Sequence, residues 1–371
     1  MKKLRIMHGL SEVAGQNSYS VQGLKEIGEN AETVIYCKHP FAYKYDKCLN
    51  IDKSRRALFP LFAVKLLAFY IKALFRYDVF HFHFGHSILN NVELWTYKLF
   101  GKDYYFEFHG SDLRDQKKFS EVTGMPFEEK DATSWRQHRR NKKICQMADG
   151  IIVHDDELIP YLSPVKNNVY VVPLRVDIGH FTPCYPENSN EHVRIVHAPS
   201  KRAGKGTVFV LEAFEQLKKK YDNIELILVE GKTQQEAIEI YKTADIIVDQ
   251  LYAGTYGVFA VESMALGKPV ITYISDEMKE RLPEELPIVS GGTTSIINVL
   301  EQLINDPSLR VEKGIQGRKY VENYHDYRMV AYVLKEIYYK KAKPLSGRMA
   351  FEQVKEIKEK IGMEKNVRQF K

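Results

Sequence analysis

Residues 249–273 read DQLYAGTYGVFAVESMALGKPVITY, which predicts a strand, a glycine loop, a short helix, a turn and a second strand. Gly254 and Gly257 allow a backbone to approach a ligand closely, and the helix is expected to begin near Val258. The unpaired N–H groups and the positive end of the dipole make such a helix start a phosphate site. Glu262 lies one turn further along the same face, where a carboxylate suits neighbouring hydroxyls such as those of a ribose. An ordinary αβ turn with a surface glutamate is the simpler interpretation of the same residues.

Composition and charge favour a globular protein of two domains with an anionic partner. The chain has 371 residues, of which 44% are hydrophobic, and this is enough for two cores. The net charge of +6 is too diffuse to predict nucleic-acid binding, but it suits an anionic small molecule or an acidic membrane surface. The four cysteines form no CxxC pair, and MKKLRIMHGL lacks an apolar segment of signal length. The sequence therefore predicts a reduced, cytoplasmic protein.

Short apolar runs alternate with segments of helical periodicity along the whole chain. Strands are expected at 4–7, 33–36, 79–84, 104–108, 150–153 and 169–172, and then at 193–197, 224–229, 245–248 and 270–273. Among the intervening helices, a long one is expected at 58–75 and another at 88–99. This alternation predicts doubly wound parallel sheets. Residues 173–190 contain three prolines and little periodicity, which indicates a linker.

These elements predict two Rossmann-like α/β domains that face each other across a cleft. We expect the N-terminal domain to span residues 1–175 and to be joined by the C-terminal helical segment 326–371. We expect the second domain to span residues 190–325. Because ligands of such sheets bind at the carboxyl ends of the strands, polar residues at those ends are the candidates for function.

A basic loop follows the first strand of the second domain. Its sequence, APSKRAGKGT at 198–207, contains the donors Ser200, Arg202 and Lys205. Arginine can hold a phosphate bidentately and lysine as a point charge. This loop and the glycine loop share one edge of the predicted sheet, and the backbone around Glu230, at the next strand end, could bind a flat base. A solvated basic loop without a ligand is the alternative.

Histidines cluster at two strand ends of the first domain, in HFHFGHS at 81–87 and FHGSDLR at 108–114. His109 follows a strand and precedes a glycine, so it could donate a hydrogen bond to a substrate hydroxyl or a leaving phosphate. A structural histidine that caps the sheet is the alternative. A metal ion could bind such a cluster, but no spacing here specifies a ligand geometry, and we predict no metal site. The residues expected on the acceptor side are His83, His86, Asp112 and Arg114.

Taken together, these pieces resemble the GT-B glycosyltransferases, in particular the family 4-like retaining group whose donors are nucleotide-activated sugars. The matching pieces are the Gly15 loop after the first strand, FHGSD at 108–112, KGT at 205–207 and VESMALGKPV at 261–270. They occur in the family's order over roughly residues 1–340. The resemblance implies two Rossmann-like domains, with the nucleotide sugar held mainly by the second.

The resemblance also implies roles for single residues. Glu262 matches the ribose-binding glutamate, Lys205 and Arg202 match a basic pair that binds the diphosphate, and His109 matches the histidine that contacts the donor sugar. We therefore expect His109, Lys205 and Glu262 to be catalytic. The full donor site is expected to comprise Gly15, Ser200, Arg202, Lys205, Glu230, Gly257, Val258 and Glu262.

One position departs from the family pattern, which places another glutamate eight residues before the ribose-binding one. This chain has Gly254 there. Backbone N–H groups near Tyr256 and Gly257 replace the missing carboxylate, or the sugar preference differs. Loss of activity is a third interpretation.

The development of charge during the reaction predicts the mechanism. Departure of a diphosphate from a sugar leaves negative charge on the phosphate, which the basic loop and the helix start would stabilise without a metal. No DxD motif is present. We expect the enzyme to transfer a sugar from a nucleotide sugar to a hydroxyl of a glycan or lipid-linked glycan, and we expect the anomeric configuration to be retained. A UDP-sugar is the favoured donor, and no further cofactor is expected. The alternatives are a nucleotide-sugar 2-epimerase of the same fold and a non-catalytic partner protein.

The segment RRALFPLFAVKLLAFYIKALFRYD at 55–78 predicts a helix that is apolar nearly all round. Lys65, Lys72 and Arg76 share one narrow stripe, and these charges argue against a transmembrane span. The helix is either a buried crossover or an element whose apolar face lies on an anionic bilayer, at the inner face of the membrane. The basic segment 135–144 would reinforce such a contact.

Overall fold

The computed structural model describes residues 3–38, 43–52, 56–123, 135–189 and 191–369, and these form two compact units. The first comprises the described residues of Met1–Asp115, Thr133–Arg175 and Tyr327–Lys371. The second comprises those of Gln116–Ala132 and Val176–Asp326.

Each unit contains one sheet, and the elements are numbered along the chain. The strands are β1 (Arg5–Leu10), β2 (Asn30–Ile35), β3 (Lys47–Cys48), β4 (Val79–His83), β5 (Asp103–Glu107), β6 (Gly150–Val153), β7 (Asn168–Val171), β8 (Val193–His197), β9 (Ile224–Leu228), β10 (Ile246–Val248), β11 (Val270–Thr272) and β12 (Val289–Ser290). The helices are α1 (Gln16–Glu26), α2 (Phe59–Arg76), α3 (Leu94–Leu99), α4 (Gln116–Thr123), α5 (Trp135–Met147), α6 (Arg202–Lys205), α7 (Thr207–Lys218), α8 (Gln234–Lys242), α9 (Val258–Ala265), α10 (Asp276–Arg281), α11 (Ile296–Asn305), α12 (Pro307–Tyr324), α13 (Tyr327–Tyr338) and α14 (Arg348–Gln369). Short 3-10 helices span Arg56–Leu58, Asp156–Tyr161 and Ile178–His180.

The first unit is built on a parallel sheet of seven strands in the order β3-β2-β1-β4-β5-β6-β7. The chain runs outward from β1 to β3 and then returns to β4. Because crossovers between parallel strands are right-handed as a rule, this order assigns α1 to one face and α2, α3 and α5 to the other. Both faces of the sheet are therefore covered, as a parallel sheet requires.

The C-terminal helix α13 completes the core of the first unit. It packs closely against α1, where a Cβ atom on Gly23 would lie 2.6 Å from the carbonyl oxygen of Tyr327 and 2.8 Å from Cβ of Ala331. Val330 and Leu334 are fully buried in the same cluster as strand and α1 side chains. The last part of the chain thus belongs to the first sheet, although it follows the second in sequence.

The second unit is built on a parallel sheet of five strands in the order β12-β11-β10-β8-β9. Its core joins β8, β10 and β11 to α7 and α11 through buried aliphatic side chains, which include Ile195, Val210, Ile246, Ile271 and Leu300. The strand order places the carboxyl ends of β8, β9 and β10 side by side. The loops that follow these three strands therefore share one edge of the sheet.

Two expectations about helices were wrong. The helix expected at 88–99 begins only at Leu94, because the preceding turn is held by side chains: Asn91, at a φ of 71°, accepts from the Ser87 N–H at 2.8 Å and donates to the Gly85 carbonyl at 2.9 Å. Of the two alternatives for α2, the buried crossover is also wrong, because only one side of the helix is buried. Five apolar residues of this helix are half or more exposed, namely Leu61, Val64, Leu67, Ile71 and Phe75.

Among the helices that the structure describes, none is both long enough and apolar enough to cross a membrane.

Candidate functional site

The start of α9 is an uncapped helix terminus at the carboxyl edge of the second sheet. Gly257 precedes the helix with an extended backbone, and no side chain caps the first turn. The Gly257 N–H lies 3.4 Å from Oδ2 of Asp249, which is at the long end of hydrogen-bond distances. A Cβ atom at Gly257 would be 3.7 Å from that oxygen and 3.9 Å from Nζ of Lys205. A carboxylate and an ammonium group therefore meet at the helix start.

Lys205 reaches this point from the short helix α6. Its Nζ donates to Oδ1 of Asp249 and to Oε1 of Gln250, both at 2.8 Å. Gly206 makes the connection to α7 with a φ of 75°, and a Cβ atom there would approach Cβ of Leu251 to 3.0 Å. The glycine thus lets the lysine loop pack against the strand end that carries its partners.

Asp249 and Gln250 are site residues that the sequence did not lead us to predict, although they begin the segment 249–273. Asp249 is 1% exposed, directly after the buried strand β10, and Gln250 donates to the Thr255 carbonyl at 2.6 Å. The available signal was a pair of polar residues at the end of an apolar strand. In the structure, the Asp249 carboxylate occupies the position beside Lys205 and the helix start that suits a phosphate oxygen.

Glu262 lies one turn into α9 and is 8% exposed. Its Oε1 accepts one hydrogen bond, from Nε2 of Gln234 in the first turn of α8, at 3.2 Å. Burial raises the pKa of Glu262 to about 7, and the Gln234 bond offsets only part of that effect. A buried carboxyl held by one amide is suited to further hydrogen bonds from a pair of hydroxyls.

The other predicted donor residues are more exposed. Ser200 lies at the surface two residues before α6, and Val258 is the partly buried first residue of α9. Arg202 forms a two-point ion pair with Glu230, in which Nε donates to Oε1 at 2.9 Å and Nη2 donates to Oε2 at 2.6 Å. Glu230 thus occupies the fork that would otherwise be offered to a phosphate.

Gly254, where the family has a glutamate, has a backbone that disfavours any side chain. Its φ is 73°, and a Cβ atom there would lie 3.1 Å from Cβ of Ser275. Its carbonyl accepts a hydrogen bond from the Ser275 N–H at 3.0 Å. The missing carboxylate is therefore accompanied by a left-handed turn that favours glycine.

Gly15 lies in the first unit, where it starts α1 with a φ of 80°. A Cβ atom there would come within 2.5 Å of the Tyr19 ring, so the position requires glycine. The start of α1 is already covered by Glu12, which accepts from the Val13 N–H at 2.9 Å and the Ser18 N–H at 3.0 Å. Burial raises the pKa of Glu12 to about 7. The predicted donor contact at Gly15 would have to displace this carboxylate.

His109 follows β5 and is held between two other histidines. Its Nε2 lies 3.1 Å from Nδ1 of His83, and its Nδ1 lies 2.9 Å from Nε2 of His154. Burial lowers the pKa of His109 well below its usual range, so the ring is neutral at pH 7. The sequence reasoning missed His154, whose only signal was its position directly after a buried strand.

The remaining predicted acceptor-side residues make contacts that hold their own loops. Asp112 is buried, and its Oδ1 accepts from the N–H groups of His109 and Gly110, each at 2.9 Å. Burial raises the pKa of Asp112 to about 6. Arg114 binds the Glu157 carboxylate, with Nε at 2.8 Å and Nη2 at 2.5 Å from its oxygens. Nδ1 of His86 lies 2.9 Å from Oδ1 of Asn90. Roles toward an acceptor remain predictions.

The chain has several structural relatives at low sequence identity. No protein-family model matches the sequence, and no curated protein matches it. Sucrose-phosphate synthase from Thermosynechococcus elongatus is similar over 91% of this chain and 99% of its own, at 15% identity and a TM-score of 0.67. Anabaena HepE, solved with UDP-glucose, is similar over 91% of this chain and 100% of its own, at 11% identity and a TM-score of 0.62. A putative UDP-N-acetylglucosamine 2-epimerase from Listeria monocytogenes is similar over 93% of this chain and 99% of its own, at 14% identity and a TM-score of 0.56.

These likenesses and the two sheet orders confirm the predicted fold class. The chain has the GT-B glycosyltransferase fold, with two parallel-sheet α/β domains.

Proposed function

We propose that this protein is a glycosyltransferase that moves a sugar from a nucleotide sugar to a hydroxyl acceptor. The observation that carries the proposal is the meeting of Lys205 with the uncapped start of α9, one turn before the buried carboxyl of Glu262. A cation, free backbone donors and an acid in this order suit a diphosphate followed by a ribose. The HepE structure with UDP-glucose supports the choice of ligand, because it shows that a protein of this fold holds such a compound.

The nucleotide sugar would bind by replacing hydrogen bonds that the site residues now make with one another. A diphosphate oxygen would take the place of the Asp249 carboxylate at Lys205 and the Gly257 N–H. The ribose hydroxyls would donate to Glu262, whose carboxyl has only the Gln234 amide as a hydrogen-bond donor in the described structure. As the sugar leaves, Lys205 and the helix start would stabilise the charge that develops on the diphosphate.

We retain the prediction that the anomeric configuration is preserved and that the UDP-sugars are the first donors to try. The predicted contact between His109 and the donor sugar requires one of its two histidine contacts to open. Arg202 would likewise have to release Glu230 before it could bind a phosphate. Lys205 and Glu262 are therefore the residues on which the proposal rests.

The test is slow hydrolysis of nucleotide sugars by the purified protein in the absence of an acceptor. We expect one nucleotide sugar to be hydrolysed, and we expect both Lys205→Ala and Glu262→Ala to lose this activity. Lys219→Ala, at an exposed position just after α7, is the matched control. Nuclear magnetic resonance of the early transfer product would determine its configuration, and an inverted anomer would contradict retention.

A nucleotide-sugar 2-epimerase is the second candidate, because a putative epimerase shares the fold. The same incubation separates the two activities. An epimerase converts the sugar nucleotide into its 2-epimer without releasing free sugar, whereas a transferase releases sugar and nucleotide. Binding without either product would instead favour a non-catalytic partner protein.

We further propose that the first unit contacts an anionic membrane, as a lipid-linked acceptor would require. The exposed apolar side of α2 continues onto α3, where Trp95 and Leu99 are 59% and 70% exposed and the Phe75 and Phe100 rings lie 5.9 Å apart. Exposed basic residues border the apolar surface on α2, namely Lys65, Lys72 and Arg76. An apolar surface with a cationic border suits the interface of an anionic bilayer.

A further inference from the structure

The first unit contains a row of largely buried rings, of which the proposed transfer uses only His109. Five histidines and one tyrosine lie around a single carboxylate, between the middle of β1 and β4, the residues that follow β5 and β6, and the end of α13. They are His8, His81, His83, His109, His154, Tyr338 and Glu107. Burying so many polar groups is unfavourable unless each finds a partner. The arrangement therefore calls for a specific occupant or a specific hydrogen-bond pattern.

We propose that the first unit binds one zinc ion between His83, Glu107 and His109. One ligand atom from each of these residues lies within 4.8 Å of the others. The two imidazole nitrogens that face each other, Nδ1 of His83 and Nε2 of His109, are 3.1 Å apart, and Nδ1 of His83 is 3.8 Å from Oε2 of Glu107. Ligands at 2.0–2.1 Å from a tetrahedral zinc are about 3.3 Å apart, so the two histidines are already at a suitable separation and the Glu107 oxygen would move toward them.

The hydrogen bonds behind the proposed ligands are those that a metal site needs. With its Nδ1 lone pair on the metal, His83 can donate from Nε2 to Nδ1 of His8, which lies 3.3 Å away. His8 can then donate from Nε2 to the Tyr338 oxygen at 2.9 Å, and Tyr338 can donate to Nδ1 of His81 at 2.5 Å. Each group uses one proton and remains neutral.

The second ligand histidine has a matching partner on its far side. With its Nε2 lone pair on the metal, His109 can donate from Nδ1 to Nε2 of His154 at 2.9 Å. Outer hydrogen bonds of this kind fix the tautomer and orientation of metal-bound imidazoles. Without a metal, one of the two facing nitrogens of His83 and His109 must carry the proton instead. With zinc bound, each histidine of this network would therefore have one defined tautomer.

Glu107 supplies the negative charge and an oxygen that faces the histidines. Arg175 donates to its Oε1, while Oε2 lies 3.1 Å from Nε2 of His81. Among the described residues, none makes a hydrogen bond of good geometry to Oε2. The buried guanidinium of Arg175 forms an ion pair with this carboxylate and compensates its charge. The carboxylate is therefore ionised and oriented toward the cluster.

Zinc is the metal that this ligand set favours. Two imidazoles and one carboxylate form a common three-residue zinc set, with a fourth position left for water. Neutral imidazole is a weak ligand for magnesium or calcium, which prefer oxygen. The site lies within the first unit and does not depend on Lys205 or Glu262. It replaces the predicted contact of His109 with the donor sugar, because a metal-bound His109 would have no ring nitrogen left for that contact.

The first test is metal content and spectroscopy of the untagged full-length protein. After removal of metals with a chelator and dialysis against Zn²⁺, we expect about one zinc per chain by elemental analysis after desalting. Co²⁺ in place of Zn²⁺ should give the visible absorption bands of a tetrahedral site with imidazole ligands. Zinc content near zero, or only the weak bands of six-coordinate Co²⁺, would overturn the proposal.

Variants then assign the ligands. His83→Gln and His109→Gln should each lose the bound zinc. His154→Phe, which removes the acceptor for Nδ1 of His109, should keep the site with roughly ten- to a hundredfold weaker affinity. His138→Gln, at an exposed position of α5, is the matched control and should bind zinc normally. Retention of zinc by both ligand variants would refute the assignment. Circular dichroism identifies a variant that has failed to fold, and the Co²⁺ spectrum of the wild type then decides by itself.

Discussion

Glu262 should lower the stability of the second unit at neutral and alkaline pH. Burial raises the pKa of this carboxyl from 4.5 to about 7. Between these two values the folded state holds a proton that the unfolded chain has released, so stability falls as the pH rises through this window. One pKa unit corresponds to 1.36 kcal/mol, and the total above pH 7 is therefore about 3 kcal/mol. We interpret this loss of stability as a consequence of keeping an acid buried for a ligand.

The substitution Glu262→Gln tests this reasoning, because it keeps the shape and the acceptor oxygen for Gln234 but removes the ionisation. At pH 8.5 the variant should be more stable than the wild type by up to ~3 kcal/mol, and at pH 5 by less than ~1 kcal/mol. Its affinity for the nucleotide sugar should fall roughly ten- to a hundredfold, because hydrogen bonds to a charged group contribute about 1.5–3 kcal/mol. The same substitution would thus raise the stability of the protein at alkaline pH and weaken its binding of the nucleotide sugar.

The assay is unfolding in guanidinium chloride, monitored by circular dichroism. Hydrogen exchange of peptides from α9 accompanies it. Tryptophan fluorescence serves as an internal comparison, because Trp95 and Trp135 both belong to the first unit. Glu212→Gln, at an exposed position of α7, should change stability by no more than ~0.5 kcal/mol at either pH. Equal destabilisation by Glu262→Gln at both pH values would refute the reasoning, since it would mean that the native carboxylate is already ionised and satisfied.

Four further substitutions test other features of the structure. Lys205→Ala should reduce nucleotide-sugar hydrolysis about 10²–10³-fold, as measured by nucleotide release, because it removes a donor that stabilises the leaving diphosphate. Gly254→Glu, which introduces the carboxylate of the resembled family pattern, should destabilise the second unit by ~1–2 kcal/mol on guanidinium unfolding and should not raise hydrolysis, because the φ of 73° favours glycine. Ile71→Glu should reduce sedimentation with anionic vesicles at low salt, because it places a charge in the exposed apolar side of α2. Gly23→Ala should destabilise the first unit by ~1–3 kcal/mol, as followed by tryptophan fluorescence, because the added methyl group would meet Tyr327.

Matched controls accompany these substitutions. Lys219→Ala should leave hydrolysis unchanged, and an equal loss would show that any lysine replacement has the effect. Gly231 has a φ of 65° but open space around it. Gly231→Glu should therefore show the destabilisation that comes from backbone strain, without the contact that Gly254→Glu would make at Ser275. Ile315→Glu, 51% exposed in the second unit, should bind vesicles like the wild type. Gly362 lies in α14 with open space around it, so Gly362→Ala should not destabilise the protein as Gly23→Ala does. Equal destabilisation by the two substitutions would contradict the packing argument.

Local sequence patterns predicted most of the fold, and their failures have physical causes. The buried strands were predictable because apolar runs of a few residues between turn signals are typical of parallel sheets. The two-residue strands β3 and β12 were not, because so short a segment has no periodicity and is defined only by its neighbour. The start of α3 was misplaced because the side-chain hydrogen bonds of Asn91 compete with helix formation.

The sequence by itself determined the fold class and a helix start with an acid one turn inside it. Both depend on spacing along a single segment, and hydrophobic periodicity and the positions of glycines encode such spacing directly. Only the tertiary structure placed Asp249 against Lys205, and only it brought Tyr338 to His81 of β4 and His154 to His109, which follows β5. Those contacts join residues that are 44, 45 and 257 positions apart. Sheet order and helix packing set such separations, and no local pattern carries that information.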